Sequence, residues 1–125
     1  MITLSKDQVL RLHEIQLRAT GGLDGIRDEG LLDSALASAF QTFGGVELFP
    51  SIAAKVARTA YGLVSNHPFV DGNKRIGTYV MLVLLELNSI NTDFTDDDII
   101  HIGLSLADGS MTDEQLLDLI LERSG

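Results

Sequence analysis

Residues 67–87 read His-Pro-Phe-Val-Asp-Gly-Asn-Lys-Arg-Ile-Gly-Thr-Tyr-Val-Met-Leu-Val-Leu-Leu-Glu-Leu. Apolar residues surround the second part of this stretch, residues 74–87, on all sides, which predicts a helix buried at the centre of the fold. The first part, residues 67–75, is polar and contains a glycine, and it follows a break in the helical pattern at residues 66–68. The stretch therefore predicts a polar loop that leads directly into the most hydrophobic helix of the chain.

The remaining sequence has the apolar spacing of further helices, together with the residues that begin and end them. A helix over about residues 31–43 would end at the glycine pair 44–45, and the glycine-rich residues 20–30 would form a loop, a short hairpin or a flap. Helix starts are indicated by Ser5, Ser51, Thr95 and Thr112, the first and last with a glutamine at capping-box spacing. The sequence thus predicts an all-α fold, in which residues 1–125 form a single six-helix domain with a short flap or hairpin near the N terminus.

The composition excludes several classes of protein. The 125 residues include 9 Lys and Arg against 18 Asp and Glu, a net charge of −9 that disfavours binding to nucleic acid. Cysteine is absent, so a disulfide framework and a thiolate metal site are excluded. The longest uncharged apolar stretch, residues 76–85, is far shorter than the roughly 20 residues that span a bilayer, and the N terminus carries no targeting signal. We therefore expect a soluble, cytoplasmic protein with neither a membrane nor a nucleic-acid partner.

The polar loop combines the groups that phosphoryl or nucleotidyl transfer needs. The start of a helix presents free backbone N–H groups to an anion, Gly72 allows close approach of the backbone, and Lys74 and Arg75 add positive charge. Asp71 is a hard-oxygen ligand suited to the Mg²⁺ that accompanies nucleotide phosphates. His67 can take a proton near neutral pH. These residue types indicate an anion site, a metal ligand and a base within one short segment.

A purely structural interpretation of the same loop is equally open. Asp71 and Gly72 could form a turn, and Asn73 could cap the following helix. No Walker phosphate loop occurs in the chain, so that marker of a nucleotide site is absent. The residue types alone leave the functional and the structural interpretation balanced.

The loop resembles the signature of the Fic/Doc family, His-x-Phe-x-Asp/Glu-Gly-Asn-Gly-Arg-x-x-Arg, and it is closer to the death-on-curing (Doc) branch, which has Asn-Lys-Arg. The matching residues are, in order, His67, Phe69, Asp71, Asn73, Lys74 and Arg75. Residues 21–31 resemble the flap segment of the family, so the resemblance covers nearly the whole chain. It implies the Fic fold and a bacterial toxin of a toxin–antitoxin pair.

The resemblance implies a role for each matching residue. His67 would be the general base that deprotonates a hydroxyl group of a target protein, and Asp71 would hold Mg²⁺ on the phosphates of ATP. Phe69 would anchor the loop in the core. The phosphate groups would be bound by Gly72, Asn73, Lys74 and Arg75. The flap that aligns the target by strand addition would comprise Gly22, Leu23, Asp24, Gly25, Ile26 and Arg27.

Two positions depart from the full Fic signature. Lys74 replaces its second glycine, and Thr78 replaces its final arginine. Lysine at the first of these positions is associated with Doc-type transfer of the γ-phosphoryl group of ATP, whereas Gly72 is the form found in Fic enzymes that transfer AMP. The resemblance favours a protein kinase, with a translation factor as the target by analogy. AMP transfer is the alternative with the same residues, and a non-catalytic helical binding module is the alternative from another class.

The same resemblance bears on regulation. Self-inhibited Fic proteins carry a Ser/Thr-x-x-x-Glu-Gly/Asn helix whose glutamate blocks the nucleotide. Glu29 is the one glutamate of this chain that is followed by Gly or Asn, and Gly25 stands where the serine or threonine would be. Without that helix, control by a separate antitoxin that folds over the toxin is expected.

Other candidate residues give weaker signals. His13 and Glu14 begin like a zinc-protease motif, but Leu17 stands where the second histidine would be, so a solvated helix face is expected. His101 is expected to be a packing or surface histidine. Arg58 could reach the loop or form a surface salt bridge.

Overall fold

The computed structural model covers residues 1–125 and contains six helices and one two-stranded hairpin. The helices are α1 (Lys6–Thr20), α2 (Glu29–Ser38), α3 (Ile52–Ser65), α4 (Asn73–Leu87), α5 (Asp96–Asp108) and α6 (Asp113–Arg123). Strands β1 (Thr42–Phe43) and β2 (Val46–Glu47) pair antiparallel between α2 and α3. The predicted all-α, six-helix fold is confirmed. None of the helices has the length and the apolar character needed to cross a membrane.

Five of the six helices begin at a side-chain cap. In each case the side-chain oxygen of the cap accepts a hydrogen bond from the backbone N–H three residues later; the caps are Ser5, Asp28, Ser51, Thr95 and Thr112. The capping boxes predicted at Ser5 and Thr112 are both present. Helix α4 is the exception, because it follows Gly72 and has no side-chain cap.

Helix α2 is shorter than predicted, and a hairpin follows it. The helix ends at Ser38 rather than near Phe43. Gly44 and Gly45 both have positive φ, 58° and 81°, and they close a two-residue turn that pairs Phe43 with Val46. A Gly-Gly pair between β-favouring residues favours a hairpin turn. The residues just before it have too little helix propensity to continue the helix into this turn.

The segment between α1 and α2, residues 21–28, is not a hairpin, so of the loop, hairpin or flap predicted over residues 20–30 the hairpin is wrong. It is an extended loop that forms a single antiparallel bridge, between Ile26 and Phe69. Gly21, Gly22 and Gly25 have positive φ, a conformation that interrupts strand pairing within the segment itself. The loop therefore pairs with the 67–75 region rather than with its own neighbours.

The central helix is α3 rather than α4, so the prediction for α4 is wrong in this respect. Ten of the 14 residues of α3 are buried, and the helix packs against α2, α4, α5 and α6. Alanines at positions 53, 57 and 60 are buried, and their small size lets the neighbouring helices approach closely. Helix α4 buries eight of its 15 residues and leaves Lys74, Arg75 and Tyr79 exposed. The core formed around α3 extends from Val9 to Ile120.

The start of α5 is tied to the end of α6 by Asp98. One Asp98 carboxylate oxygen, Oδ2, accepts a hydrogen bond from the Thr95 N–H at 2.8 Å and one from the Arg123 guanidinium at 2.7 Å. The Thr95 N–H and the Arg123 guanidinium together lower the pKa of Asp98 to about 2. These contacts stabilise the fold only while the carboxylate is ionised.

We expect Asp98→Asn to remove part of the acid sensitivity of folding. Because the pKa of Asp98 is lower in the folded than in the unfolded chain, its stabilising contribution is complete above about pH 4 and is lost as the pH falls towards 2. Urea unfolding at several pH values between 5 and 2 measures this difference. Asp97→Asn is the matched control, since Asp97 lies in the same first turn and forms no salt bridge. Equal pH dependence in both variants would contradict the assignment.

Candidate active site

The loop over residues 66–72 connects α3 to α4, and its shape is fixed by Asn73. The Asn73 side-chain amide donates to the Phe69 carbonyl oxygen at 3.0 Å, and its Oδ1 accepts from the Phe69 N–H at 2.9 Å. Asn73 is 4% exposed. Its side chain therefore bonds the loop backbone; it is not the cap of α4, which is Gly72.

The loop rests on two stacked rings. Phe69 is buried at 1% exposure, and its ring stacks on the ring of His13 from α1, with 3.8 Å between centroids and 12° between planes. His13 is also buried, and its Nε2 lies 2.8 Å from the Asp71 carbonyl oxygen. The predicted solvated position of His13 is therefore wrong. Val9, His13 and Leu17 lie four residues apart, so they share the buried face of α1.

The Asp71 carboxylate is held by two backbone N–H groups. Its Oδ2 accepts from Leu23 at 3.2 Å, and its Oδ1 accepts from Gly72 at 2.8 Å. The Leu23 and Gly72 hydrogen bonds, with the nearby positive charge of Arg75, lower the pKa of Asp71. The carboxylate is ionised at neutral pH and links the 21–28 loop to the 66–72 loop.

Gly72 gives α4 an open N-terminal end. It has the left-handed conformation (φ 80°, ψ 15°), which strains any residue with a side chain. The first helical hydrogen bond runs from the Ile76 N–H to the Gly72 carbonyl oxygen at 2.9 Å. The N–H groups of residues 73–75 precede that bond and have no side-chain cap, so they are available to a negatively charged ligand.

A cleft of about 360 Å³ opens at this helix end. It brings together six of the predicted site residues; its lining comprises Val64, His67, Val70, Asp71, Gly72, Asn73, Lys74, Arg75 and Ala107. His67 is exposed and has a φ of 54°, an uncommon conformation for a residue other than glycine. Phe69 lies beneath the loop in the core rather than in the cleft.

Two cations stand beside the open helix end. Lys74 and Arg75 are exposed, and neither belongs to any salt bridge of the chain. The Arg75 guanidinium contacts the Thr20 hydroxyl and lies 3.5 Å from the Gly21 carbonyl oxygen, so it faces the end of α1. Because neither side chain forms a salt bridge, both are able to bind an anionic ligand.

Comparison with known proteins identifies the family. The model of the Fic/DOC family matches residues 3–85, a range that begins just before α1 and ends in the last turn of α4. The chain belongs to the Fic/DOC family. It is 36% identical to Toxin Doc of Mycolicibacterium smegmatis over 96 residues, which are 75% of this chain and 72% of that protein.

In this Fic/DOC chain the predicted flap is hydrogen-bonded to the 66–72 loop. The Val70 N–H donates to the Gly25 carbonyl oxygen at 3.0 Å, and the Arg27 N–H donates to the Pro68 carbonyl oxygen at 2.7 Å. The Arg27 side chain reaches the same loop, because its Nε donates to the His67 carbonyl oxygen at 2.6 Å and its Nη2 to that of Asn66 at 3.0 Å. The Leu23 side chain is exposed at 68%.

We expect Arg27→Met to loosen the His67 turn. The change removes both side-chain hydrogen bonds to the loop carbonyls, so the folded state should lose about 1 kcal/mol. Urea unfolding measures the loss, and Arg11→Met, an exposed arginine of α1 without a salt bridge, is the control. A loss no larger than that of the control would show that the two hydrogen bonds contribute nothing in solution.

The other candidates of the sequence lie outside the Fic/DOC loop. Arg58 forms a salt bridge with Asp113 at 3.2 Å and lies over the rings of Phe49 and Tyr61, so it does not line the cleft. His101 is exposed on α5 and lines a separate open cleft between α5 and α6. The residue that sequence reasoning missed is His13, although its spacing from Val9 and Leu17 would have placed it on the buried face.

Proposed function

We propose that this chain is a Doc-like toxin that transfers the γ-phosphoryl group of ATP to a hydroxyl group of a target protein. His67 takes the proton of that hydroxyl group. Its oxygen forms a new bond to the γ-phosphorus, the bond from this phosphorus to the bridging oxygen breaks, and ADP leaves. The observation that carries the proposal is the uncapped start of α4, with Lys74 and Arg75, in one cleft with His67.

The polyphosphate binds at the start of α4. The backbone N–H groups of residues 73–75 and the positive end of the helix attract the phosphate oxygens. Gly72 leaves the approach free of a side chain, and Lys74 and Arg75 balance the negative charge of ATP. Asn73 contributes its backbone N–H, since its side chain is engaged with Phe69.

Asp71 is suited to hold Mg²⁺ at the phosphates. Its lowered pKa keeps the carboxylate ionised, and carboxylate oxygens are ligands that Mg²⁺ prefers. No group of three His, Asp or Glu side chains in the chain could hold a metal ion. Asp71 would hold the ion together with other oxygen ligands, such as those of the phosphates, and the ion would supply positive charge that offsets the phosphate charge.

Lys74 favours phosphoryl transfer over AMP transfer. It is exposed in the first turn of α4 and lines the cleft. In the Fic signature this position is glycine, so the lysine side chain adds bulk and a positive charge one residue before Arg75. This charge binds the terminal phosphate of ATP. The bulk of the side chain obstructs the nucleotide orientation for AMP transfer, which needs an open backbone at this position.

The flap and a separate antitoxin complete the proposal. Backbone groups within residues 22–27 hydrogen-bond to the 66–72 loop, and the exposed Leu23 and Ile26 offer apolar contacts to a target segment. The antitoxin covers the cleft, and both act in the bacterial cytoplasm. Isolation of the chain from native cells tests this part: recovery of no small partner, together with full activity of the free chain, would contradict it.

Labelling with two forms of ATP tests the reaction. The purified chain is incubated with bacterial lysate and Mg²⁺, with ³²P either at the γ or at the α position of ATP. We expect a protein band labelled by γ-ATP only. A band labelled by α-ATP would mean AMP transfer and would overturn the role given to Lys74.

A parallel binding measurement distinguishes an enzyme from a binding module. Mg²⁺–ATP should raise the melting temperature of the purified chain, because a ligand that binds only the folded state stabilises it. No label from either nucleotide and no rise in melting temperature would leave the helical binding module as the better description.

A further inference from the structure

His13 contacts three neighbouring residues of the 66–72 loop from beneath. Its ring stacks on Phe69, and its Nε2 lies 2.8 Å from the Asp71 carbonyl oxygen. A Cβ atom added to Gly72 would lie 3.4 Å from the same Nε2. The imidazole therefore fills the space directly under the turn that leads into α4. It is 3% exposed and has no place in the proposed transfer step.

The hydrogen bond between His13 and the Asp71 carbonyl oxygen shows which ring nitrogen of His13 carries a hydrogen. A carbonyl oxygen can only accept, so His13 Nε2 carries a hydrogen and donates it to Asp71. This bond fixes the peptide group between Asp71 and Gly72. The N–H of that same peptide group donates to the Asp71 Oδ1 at 2.8 Å. One peptide group is thus held on its carbonyl side by α1 and on its amide side by the Asp71 carboxylate.

The fixed peptide group controls two parts of the cleft. It sets the left-handed turn at Gly72, after which the free N–H groups of α4 begin, and it orients the Asp71 carboxylate. We infer that His13 is a positioning residue, which holds the Asp71–Gly72 peptide so that the helix start and the carboxylate face the polyphosphate together. The part of this inference that concerns the polyphosphate rests on the proposed function. The part that concerns the position of the Asp71–Gly72 peptide does not depend on it.

Substitutions at His13 separate the hydrogen bond from packing. His13→Leu keeps an apolar side chain but has no donor. His13→Gln places an amide N–H near the position of Nε2 and loses the ring. Val9→Ala is the control, since Val9 is 0% exposed on the same face of α1 and makes none of these hydrogen bonds. Should the leucine variant not fold, His13→Asn replaces it, because its amide is too short to reach the Asp71 carbonyl oxygen.

Three readouts are compared in each variant: melting temperature, the amide ¹H–¹⁵N signals of Asp71 and Gly72 without nucleotide, and the Kd of Mg²⁺–ATP. We expect His13→Leu to shift the Gly72 amide signal and to weaken Mg²⁺–ATP binding by about tenfold or more. His13→Gln should restore both to near the original values. Val9→Ala should lower the melting temperature without changing the Gly72 amide signal or the Kd of Mg²⁺–ATP.

Each other result has a defined meaning. An unchanged Gly72 signal in His13→Leu, no recovery in His13→Gln, or an equal loss of affinity in Val9→Ala would overturn the inference. If the unaltered chain does not bind Mg²⁺–ATP, the proposed function fails, and the Asp71 and Gly72 signals alone decide whether His13 holds the peptide.

Discussion

His67→Ala is expected to lower phosphoryl transfer to target proteins by about 100-fold or more, the contribution of a general base. The His67 ring is exposed at the mouth of the cleft, so its removal leaves the buried core intact. The melting temperature should therefore change by no more than about 2 °C. Mg²⁺–ATP should still bind, because the start of α4, Lys74 and Asp71 are retained.

The control for this loss is His101→Ala. His101 is also an exposed histidine, and it lies on α5 in a different cleft. Labelling by γ-ATP, melting temperature and Mg²⁺–ATP affinity are measured for both variants. Full labelling by His67→Ala would remove His67 from the reaction. A loss of labelling accompanied by a large fall in melting temperature would instead show that His67 supports the fold.

Local signals in the sequence account for what was predicted correctly. Ser5 and Thr112 have glutamine three residues later, and such caps depend on neighbours within one helical turn. Six residues of the candidate site lie within nine consecutive positions, 67–75. Because they are so close in sequence, the single turn before α4 brings them to one cleft. The family resemblance rests on this segment together with residues 21–31, and it is confirmed.

Long-range packing accounts for what was missed. The spacing of His13 from Val9 and Leu17 indicates a buried face, but its partners Phe69 and Asp71 lie more than 50 residues away and could not be identified from α1. The central position of α3 arises because its small residues admit other helices on several sides. Hydrophobicity alone favours α4 as the central helix, yet Lys74, Arg75 and Tyr79 leave part of that helix exposed.

Gly77→Ala is expected to cause a large loss of stability, of about 1–3 kcal/mol. Gly77 lies in α4 one turn after Asn73, where α4 crosses α3. An added Cβ would overlap the Val64 side chain and would lie 3.3 Å from the Ala60 carbonyl oxygen. The backbone of α3 cannot move away cheaply, because α3 is packed against helices on its other sides. Urea unfolding monitored by circular dichroism measures the loss.

Gly103→Ala provides the opposite case within the same fold. Gly103 is also a buried helical glycine, but a Cβ there would lie 3.5 Å from the Lys74 Cβ and the Thr78 Cγ2, which is ordinary contact. Alanine favours the helix over glycine by up to about 1 kcal/mol, so this variant should be as stable as the original chain or more stable. Stabilisation by alanine at both positions would contradict the prediction for Gly77, because helix propensity would then outweigh packing there as well. A loss confined to Gly77→Ala would show that the close contact of α3 and α4 at Gly77 stabilises the fold.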